Sequence, residues 1–309
     1  MRVKVSIMYD ISIIIPHYNN PGLLEHLLDS IGDHPNVQII VIDDKSNIAL
    51  EKLENIKRKF AGWCSFLDNT TAIKGAGVCR NIGLDHAVGK WLLFSDADDL
   101  FLNDWYCVIK PYLESDKDVV YFKPTSKIGE RKGTRHVAYA KTVEDYIEKK
   151  PDSELTLRVK FVTPWSKMIK RQLVSDNGIR FSETLYANDV LFSSKVGIMA
   201  KTIQASSDTF YCVRDSEGTL TKNKKFEAIY IRQQVFCETY HFLKSNLPEK
   251  EFRKTYVNNV PAATLVTLIR KKYKLADIIS MISLYRNNKI PLIVPGNYQP
   301  NKIRKYLVD

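Results

Sequence analysis

The stretch Trp91–Asp99, WLLFSDADD, decides the fold that this sequence predicts. Its first four residues are apolar without polar alternation, which is typical of a parallel β-strand covered on both faces. Asp96, Asp98 and Asp99 then follow, and ligands of open α/β sheets gather where parallel strands end. Three adjacent carboxylates repel one another unless a cation lies between them, and hard oxygen ligands suit Mg²⁺ or Mn²⁺. The alternative interpretation is that Asp98 or Asp99 merely caps a following helix.

Three more strands are predicted upstream, and each is followed by a helix. Apolar runs place them at Ile11–Ile15, which Pro16 ends, at Val37–Ile42 and, more weakly, at Ser65–Leu67. Such alternation implies right-handed βαβ units and a Rossmann-like α/β fold, with a mostly parallel sheet flanked by helices. The polar clusters after the strands should then share one edge of the sheet: Tyr18 and Asn19, Asp43 and Asp44, and Asp96–Asp99.

The upstream helices have recognisable ends and faces. Asn20 is suited to cap the first helix, with Pro21 at its first position and Gly32 at its end. Gly75-Ala76-Gly77 opens the third helix, and Gly89 is predicted to end it. The second helix is expected to turn four apolar side chains inward: Leu50, Leu53, Ile56 and Phe60.

Beyond Asn103 the pattern is less regular. The predicted elements are, in order, a strand over Val119–Phe122, a polar loop over 123–135, a helix over Thr142–Lys149, a helix from Pro164 to Gly178, a short extended segment over Arg180–Leu185, an amphipathic helix from Asn188 or Asp189 to Met199, and a strand over Thr209–Val213. From about Phe226 the chain is predicted to be mostly helical and basic.

Positive charge is concentrated in the last ninety residues. The 309-residue chain has a formal net charge of +11, and residues 220–309 hold 17 Lys and Arg against 6 Asp and Glu, so the whole excess lies there. A neutral body with a basic region suggests an extended anionic partner, either a membrane surface or a nucleic acid. A nucleic-acid surface would interleave basic residues with exposed aromatics. Tyr273 and Tyr306 are too few for this, and we expect no nucleic-acid partner.

One helix of the basic region carries an apolar stripe flanked by Arg270-Lys271-Lys272 and Arg286. The stripe consists of Leu275, Ile278, Ile279, Ile282 and Tyr285. Two interpretations stay open: the stripe packs on the body of the protein, or it contacts an anionic membrane surface, where each basic group gains about 1 kcal/mol.

The composition also bears on location. No apolar run approaches the roughly 18 residues of a membrane span, and the first ten residues lack the apolar core of a secretory signal. The five scattered cysteines are typical of a reducing compartment and form no zinc motif. We therefore expect a cytoplasmic protein, with peripheral contact to the inner face of the plasma membrane.

Five pieces of the sequence occur in the order typical of bacterial glycosyltransferase family 2, which has a GT-A fold. They are SIIIPHYNN (12–20), VIDDKSN (41–47), GAGVCRNIGLDHAVGKWLLFSDADD (75–99), TPWSKMIKRQLVSDNGIRFSETLYANDVLF (163–192) and YCVRDSEGTLT (211–221). The chain resembles this family over roughly residues 11–222. The resemblance implies a nucleotide-sugar-binding half over residues 1–100 and an acceptor-binding half of the same domain over 101–222. Residues 223–309 show no family signal and are expected to form a helical basic extension.

The resemblance also implies roles for individual residues. Asp96 and Asp98 would hold Mn²⁺ or Mg²⁺ on the donor diphosphate, with Asp99 in support, and Asp189 would be the general base. The donor-binding residues would be Pro16, Tyr18, Asn19, Asp43, Asp44, Arg80, Asn81, Asp96 and Arg214. The acceptor would meet Glu183, Asn188 and Trp165. The family often has Glu-Asp where this chain has Asn188-Asp189, which keeps the base and removes a second carboxylate.

Several of these residues have structural alternatives. Asp189 could cap the helix that follows it, and Asp44 could belong to an Asx-type turn. Arg80 and Glu183 could be solvated charges. Tyr18 and Trp165 could serve packing alone, and burial in the core is the commoner fate of a tryptophan beside apolar neighbours.

The implied reaction explains the residue types. Breaking the bond to a diphosphate leaving group builds negative charge that a divalent cation neutralises, and Arg80 or Arg214 can add a charge-assisted hydrogen bond. A carboxylate opposite the leaving group takes the proton of the acceptor hydroxyl, so that displacement inverts the anomeric carbon. The implied enzyme moves a hexose or N-acetylhexosamine from a nucleotide sugar, expected to be a UDP sugar. Its acceptor would be a glycan or a lipid-linked molecule of a bacterial capsule, O-antigen or lipooligosaccharide.

Two other functions compete with this interpretation. A sugar-nucleotidyltransferase shares a related core, but it would need a glycine-rich loop directly after the first strand, where this chain has HYNNPG. A non-enzymatic nucleic-acid-binding protein would account for the basic region and would leave the aspartate clusters unexplained.

Overall fold

The strand over Trp91–Phe94 lies near the centre of a seven-stranded sheet, and all four of its side chains are buried. The computed structural model describes residues 9–215 and 223–293, and the chain divides into two compact units, Met1–Glu217 and Gly218–Asp309. Predictions that fall on residues 1–8, 216–222 and 294–309 lie outside the described residues; they include the absence of a leader, the end of the fifth family motif and Tyr306.

The first unit contains eleven described strands and eight helices. The strands are β1 (Ile11–His17), β2 (Val37–Asp43), β3 (Cys64–Asp68), β4 (Trp91–Phe94), β5 (Leu100–Phe101), β6 (Val119–Phe122), β7 (Thr125–Ile128), β8 (Arg131–Lys132), β9 (Lys167–Lys170), β10 (Ile203–Ser206) and β11 (Tyr211–Arg214). The helices are α1 (Pro21–Ile31), α2 (Leu50–Phe60), α3 (Ala76–His86), α4 (Trp105–Ile109), α5 (Val137–Ile147), α6 (Ser153–Lys160), α7 (Arg171–Asp176) and α8 (Val190–Met199). A 3-10 turn follows α4 at Lys110–Tyr112.

The large sheet has the order β10-β6-β9-β4-β1-β2-β3 and is parallel except at β9, which runs antiparallel to both β4 and β6. A smaller sheet has the order β5-β11-β7-β8. The predicted α/β class, with a mostly parallel sheet flanked by helices, is confirmed. The carboxyl ends of β1, β2 and β4 meet at one edge, as the alternation predicts.

The first strand continues past the predicted end at Pro16. Proline lacks the N–H that a central strand needs. β4 pairs with β1 only as far as Ile14, whereas β2 pairs with it through Pro16 to His17. The proline therefore lies where one neighbouring strand has already ended, and the strand tolerates it. The caps predicted for α1 are confirmed, since Asn20 accepts a hydrogen bond from the Leu23 N–H and Gly32 follows the last turn.

Two predictions about the first half need correction. Leu50 is 52% exposed and does not face the core, because it is the first residue of α2. Helix α3 ends at His86, three residues before Gly89. Gly89 instead allows a close approach, because a Cβ at this position would lie 2.4 Å from the carbonyl carbon of Ile11.

Three predictions about the second half need correction as well. The polar loop over 123–135 contains the hairpin strands β7 and β8, and α5 begins five residues before Thr142. The segment predicted to be short and extended, Arg180–Leu185, lies in neither a helix nor a strand. Helix α8 has the predicted end but is buried on most sides rather than amphipathic, and a Cβ on its Gly197 would lie 2.1 Å from the Arg158 carbonyl oxygen.

The largest error concerns the helix predicted from Pro164 to Gly178. Residues Lys167–Lys170 form β9, inserted between β4 and β6, and only Arg171–Asp176 are helical. The apolar pair at its centre, Met168 and Ile169, is buried in the sheet. Pairing with strands distant in sequence thus overrides the local helix-start signal of Pro164.

The second unit is helical in its described part, as predicted. Its helices are α9 (Phe226–Asn246), α10 (Glu249–Phe252), α11 (Val260–Arg270) and α12 (Leu275–Asn287), with a 3-10 turn at Tyr256–Asn259. The stripe predicted on α12 is divided: Tyr285 is buried with Met281 and Leu284, whereas Leu275 and Ile279 are 72% and 54% exposed. Among the described helices, none is both long enough and apolar enough to cross a bilayer.

Substituting Gly89 tests the close approach of its backbone to β1. We expect Gly89→Ala to lower the free energy of unfolding by about 1–3 kcal/mol, because the added methyl group overlaps main-chain atoms that cannot rotate away. Urea denaturation measures the change. Gly62→Ala is the matched control, since a Cβ there meets nothing within 4 Å. Equal stability of the two variants would contradict the packing described for Gly89.

Candidate active site

The three aspartates after β4 form a cluster that is suited to a cation. One ligand oxygen from each of Asp96, Asp98 and Asp99 lies within 4.8 Å of the others. Burial, and then the Asp96 carboxylate, raise the pKa of Asp98 to about 6. Burial and the two neighbouring carboxylates raise the pKa of Asp99 well above its usual value. A divalent cation would relieve this repulsion, and hard carboxylate oxygens are the ligands that Mg²⁺ and Mn²⁺ take. The donor set therefore fits such a cation.

Tyr211 on β11 fixes this cluster from the second sheet. Its buried hydroxyl donates to Asp99 Oδ2 at 2.6 Å and accepts from the Asp96 N–H at 3.0 Å. The Arg214 N–H donates to the other Asp99 oxygen at 2.7 Å. The Asp99 side chain is 1% exposed and has both oxygens bonded to β11. Asp96 and Asp98 are the more accessible carboxylates of the cluster.

Arg80 on α3 joins the aspartate cluster to the loop before α8. Its guanidinium donates to Asp96 Oδ1 at 2.5 Å and to Asn188 Oδ1 at 2.7 Å. The side chain is 4% exposed and lies over the Phe181 ring, with the guanidinium carbon 5.3 Å from the ring centre. Arg80 is thus a buried bridge and not a solvated helix arginine. Its Nε atom has no hydrogen-bond partner among the described residues.

Asp189 lies directly after the Asn188 that Arg80 binds. It occupies the N-cap position of α8, yet its side chain makes no capping hydrogen bond in the described structure. Burial raises the pKa of Asp189; the Arg80 guanidinium opposes this rise, and the Asp96 carboxylate adds to it. The candidate base and the aspartate cluster are therefore close enough for their charges to interact.

Helix α3 also holds the loop that leads to Asp189. The Asn81 amide accepts from the Phe181 N–H at 2.9 Å and donates to the Phe181 carbonyl at 3.1 Å. It also donates weakly to Glu183, at 3.4 Å. A Cβ on Gly77 would lie 2.2 Å from the Ser182 carbonyl oxygen, so only glycine allows this contact. The GAG turn therefore serves the packing of this loop, which the sequence did not indicate.

The carboxylates after β2 are engaged with neighbouring loops. Asp43 accepts from His17 Nδ1 at 2.8 Å and from the Ser46 hydroxyl and N–H. Although burial raises the pKa of Asp43, these hydrogen bonds outweigh it and lower the pKa below its usual value. Asp44 accepts from Asn69 Nδ2 at 2.7 Å and from the Gly75 N–H at 2.8 Å. Both carboxylates thus order the loops around the predicted donor site.

The loop after β1 combines one structural residue with one exposed ring. Asn19 has a left-handed backbone, with φ of 54°, and its side-chain oxygen accepts from the N–H groups of Asn47 and Ile48. Tyr18 is 48% exposed, with the Lys74 ammonium 4.2 Å from its ring centre. Tyr18 is therefore not a packing residue and remains available to a ligand.

The predicted acceptor residues differ in exposure. Glu183 is exposed and Asn188 is buried beside Arg80. Trp165 is 3% exposed and stacks on Tyr211 at 5.8 Å, so the structure gives it a packing position below the aspartate cluster. The Arg214 side chain lies near Asp98 and opposes the rise of its pKa, and the buried Nε of Arg214 has no hydrogen-bond partner among the described residues.

Three residues near the site were not singled out from the sequence: Tyr211, Arg135 and Lys167. Arg135 precedes α5, donates to the Arg214 carbonyl at 3.4 Å and opposes the rise in the pKa of Asp98. Nothing local in the sequence marks it, because it reaches the site only through the β7–β8 hairpin. Tyr211 and Lys167 lie inside the family motifs, which indicate the region of the site but not these residues.

Lys167 is a fully buried lysine close to the candidate base. Its ammonium donates to the Phe161 carbonyl at 2.6 Å and faces the rings of Phe161 and Tyr121. Burial lowers the pKa of Lys167 to about 7, and the Asp189 charge opposes this shift. An ordinary lysine titrates near 10.5, so the folded state binds this proton far less tightly than the unfolded state.

The buried Lys167 should make the free energy of unfolding depend on pH. Between about pH 7 and about pH 10 the unfolded chain keeps a proton that folded Lys167 has lost, so its contribution to the free energy of unfolding rises with pH. We expect the free energy of unfolding of the wild type, minus that of Lys167→Met, to increase over this window in urea denaturation. The difference for exposed Lys201→Met should stay flat. A flat difference for Lys167→Met as well would contradict the inferred pKa.

Comparisons with known proteins show what the chain is similar to. The chain is 29% identical over 212 residues to a poly(ribitol-phosphate) beta-glucosyltransferase of Bacillus spizizenii, covering 65% of this chain. It is 24% identical over 281 residues to a GalNAc(5)-diNAcBac-PP-undecaprenol beta-1,3-glucosyltransferase of Campylobacter jejuni, covering 86% of this chain and 85% of that protein. Residues 1–349 of Staphylococcus aureus TarS, solved in complex with UDP-GlcNAc, share the fold with a TM-score of 0.72 at 22% identity, covering 96% of this chain and 88% of that one.

The chain covers less than half the length of some of these relatives, whereas the family profile covers more than half of the chain. The chain spans 31% of the length of the B. spizizenii protein and 44% of the full-length S. aureus TarS, a poly(ribitol-phosphate) beta-N-acetylglucosaminyltransferase. The family profile described as "Glycosyl transferase family 2" matches residues 12–178, which is more than half of the chain and contains α3, β4 and the aspartate cluster. The chain therefore belongs to glycosyl transferase family 2.

Proposed function

We propose that this protein is an inverting, metal-dependent glycosyltransferase. The observation that carries the proposal is the buried bridge in which Arg80 binds Asp96 on one side and Asn188, the neighbour of Asp189, on the other. A transferase needs a site for a diphosphate leaving group and a proton acceptor facing it across the sugar. The bridge links groups suited to both tasks.

The donor half is proposed to lie over residues 1–100. Asp96 and Asp98, with Asp99 in support, would hold Mn²⁺ or Mg²⁺, which when bound neutralises charge developing on the leaving diphosphate. The unpartnered Nε atoms of Arg80 and Arg214 are donors suited to phosphate oxygens. The remaining proposed donor contacts are Pro16, Tyr18, Asn19, Asp43, Asp44 and Asn81. Of these, the exposed Tyr18 ring is the best suited to stack on a nucleobase.

Asp189 is proposed to take the proton of the acceptor hydroxyl. The raised pKa of this carboxylate brings its basicity closer to that of a group working near neutral pH. With a single carboxylate opposite the leaving group, displacement is direct and the anomeric configuration inverts. Asn188 keeps the bond to Arg80 without adding a second negative charge beside the base.

The substrate classes are proposed from the relatives. A fold neighbour binds UDP-GlcNAc, and relatives act on poly(ribitol-phosphate) or on an undecaprenol-linked glycan. We infer a UDP-hexose or UDP-N-acetylhexosamine donor, and a glycan or lipid-linked acceptor that belongs to a bacterial cell-surface polymer. The acceptor half would lie over residues 101–222, with Glu183, Asn188 and Trp165 on that side of the site. A cytoplasmic location is consistent with such a donor, and residues 223–309 would meet the inner face of the membrane.

The two chemical roles can be separated by substitution. We expect Asp98→Asn to abolish Mn²⁺-dependent donor turnover, because it removes a ligand from the cation site. We expect Asp189→Asn to slow transfer by about 10²–10⁴-fold while leaving donor binding within a few-fold. Release of UDP from a panel of UDP sugars, with and without poly(ribitol-phosphate) or an undecaprenol-linked glycan, measures both effects.

The control for these variants is Asp176→Asn, an exposed aspartate at the end of α7 that has no place in the site. Its turnover should equal that of the wild type. Turnover without any divalent cation, or full transfer by Asp189→Asn when acceptor is present, would contradict the proposed mechanism.

The bridge itself can be tested with the charge kept constant. Arg80→Lys retains a cation but cannot bind Asp96 and Asn188 at once, because an ammonium lacks the planar fork of a guanidinium. Losing one charge-assisted hydrogen bond corresponds to a loss of roughly 10–100-fold in kcat/KM. Arg58→Lys, on the exposed face of α2, should have no effect. Unchanged kcat/KM in Arg80→Lys would show that the bridge does not organise the site.

A further inference from the structure

Helix α12, in the described part of the chain, has an exposed apolar face. Leu275, Ile279 and Ile282 follow one another at helical spacing and are 72%, 54% and 38% exposed. On the other side of the same helix, Met281, Leu284 and Tyr285 are buried, so the helix is held in place without this face. On α11, which contacts α12, Ile269 is 60% exposed as well. Contiguous exposed apolar residues of this kind mark contact surfaces.

The same helices are strongly basic. Residues 260–293 hold six Lys and Arg and one acid, Asp277. The six are Arg270, Lys271, Lys272, Lys274, Arg286 and Lys289, and all of them are exposed. Among the described residues, none of the six forms a salt bridge with a carboxylate. Lys271 also lines a cavity of about 320 Å³ together with Lys224 and Arg232, which adds positive charge close to the turn between the helices.

We propose that α11 and α12 dock on the surface of an anionic lipid bilayer, with Leu275, Ile279 and Ile282 entering the interface. An apolar face bordered by Lys and Arg is the composition that binds in the plane of such an interface, and the negative surface of anionic lipids complements the uncompensated charge. A second copy of the chain is a poorer occupant. Pairing this face with itself would bring two sets of unpaired cations together.

The proposal deepens the proposed function and rests on it in one respect: a lipid-linked or membrane-bound acceptor gives the enzyme a reason to be at a bilayer. Docking would concentrate the enzyme where such an acceptor is anchored, so the reaction becomes effectively two-dimensional. Turnover of a nucleotide sugar without an acceptor needs no membrane. The docking proposal and the proposed glycosyltransferase activity can therefore be tested independently.

Vesicle flotation of the full chain tests the docking surface. The probes are vesicles of phosphatidylcholine alone and vesicles with an equal share of phosphatidylglycerol, each at low and at high salt. We expect the protein to float only with the anionic vesicles and less at high salt. Ile279→Asp should lower the bound fraction at least about tenfold, because it replaces an inserting side chain with an anion.

Two further variants separate the lipid contact from general effects. Ile147→Asp makes the same change on a 41% exposed isoleucine of α5 and should float like the wild type. Lys271→Glu combined with Lys272→Glu should weaken flotation and reduce its salt dependence. Donor turnover without acceptor, measured on the same samples, should be equal in all variants and shows that each is folded.

Other outcomes would overturn the proposal. These are a lack of flotation by the wild type, equal binding to neutral vesicles, or a wild-type dimer that Ile279→Asp converts to a monomer without changing flotation. Light scattering reports the last of these. Absent flotation with normal donor turnover rejects the membrane surface alone, whereas normal flotation without turnover of any nucleotide sugar rejects the proposed function.

Discussion

The ion pair between Arg80 and Asp96 is the interaction on which the geometry of the site depends. Arg80 reaches across to Asn188, 108 residues away in the sequence, and so fixes the loop before α8 against the end of β4. Removing two charges from water is costly, and buried pairs are weak sources of stability. We therefore interpret this pair as a device that positions Asp189, with the burial of the sheet supplying the free energy that holds it.

The carboxylates of the acidic cluster also repel one another beside this ion pair, at the end of β4. Burial and the Asp96 carboxylate raise the pKa of Asp98, and burial with both neighbouring carboxylates raises the pKa of Asp99. Tyr211 and the Arg214 N–H hold Asp99 from the second sheet, 112 residues or more away in the sequence. The large sheet thus supplies the acids and the small sheet supplies the donors that hold them. Such repulsion lowers the stability of the fold, and a divalent cation bound between the carboxylates would relieve it.

Much of the first half of the fold could be predicted, because local sequence patterns encode its strands and helices. Continuous apolar runs marked β1, β2 and β4, and the end of each strand fixed the edge where the aspartates meet. β9 could not be predicted, since Lys167–Lys170 becomes a strand only through pairing with β4 and β6. Arg80 and Asp189 were expected near the site from family motifs, but Tyr211, Arg135 and Lys167 act through contacts that no local pattern encodes.

The position of β9 has a consequence for how the chain is made. β9 lies between β4 and β6 although it follows both in the sequence. A nascent chain that has emerged as far as Phe122 therefore carries two strands that have no partner on their facing sides. Open strands of this kind pair with other chains. Ribosomes that stall before Lys170 would release fragments prone to aggregation. Once Lys167–Lys170 has been synthesised, β9 can pair with both β4 and β6, and the two unpaired strand edges disappear.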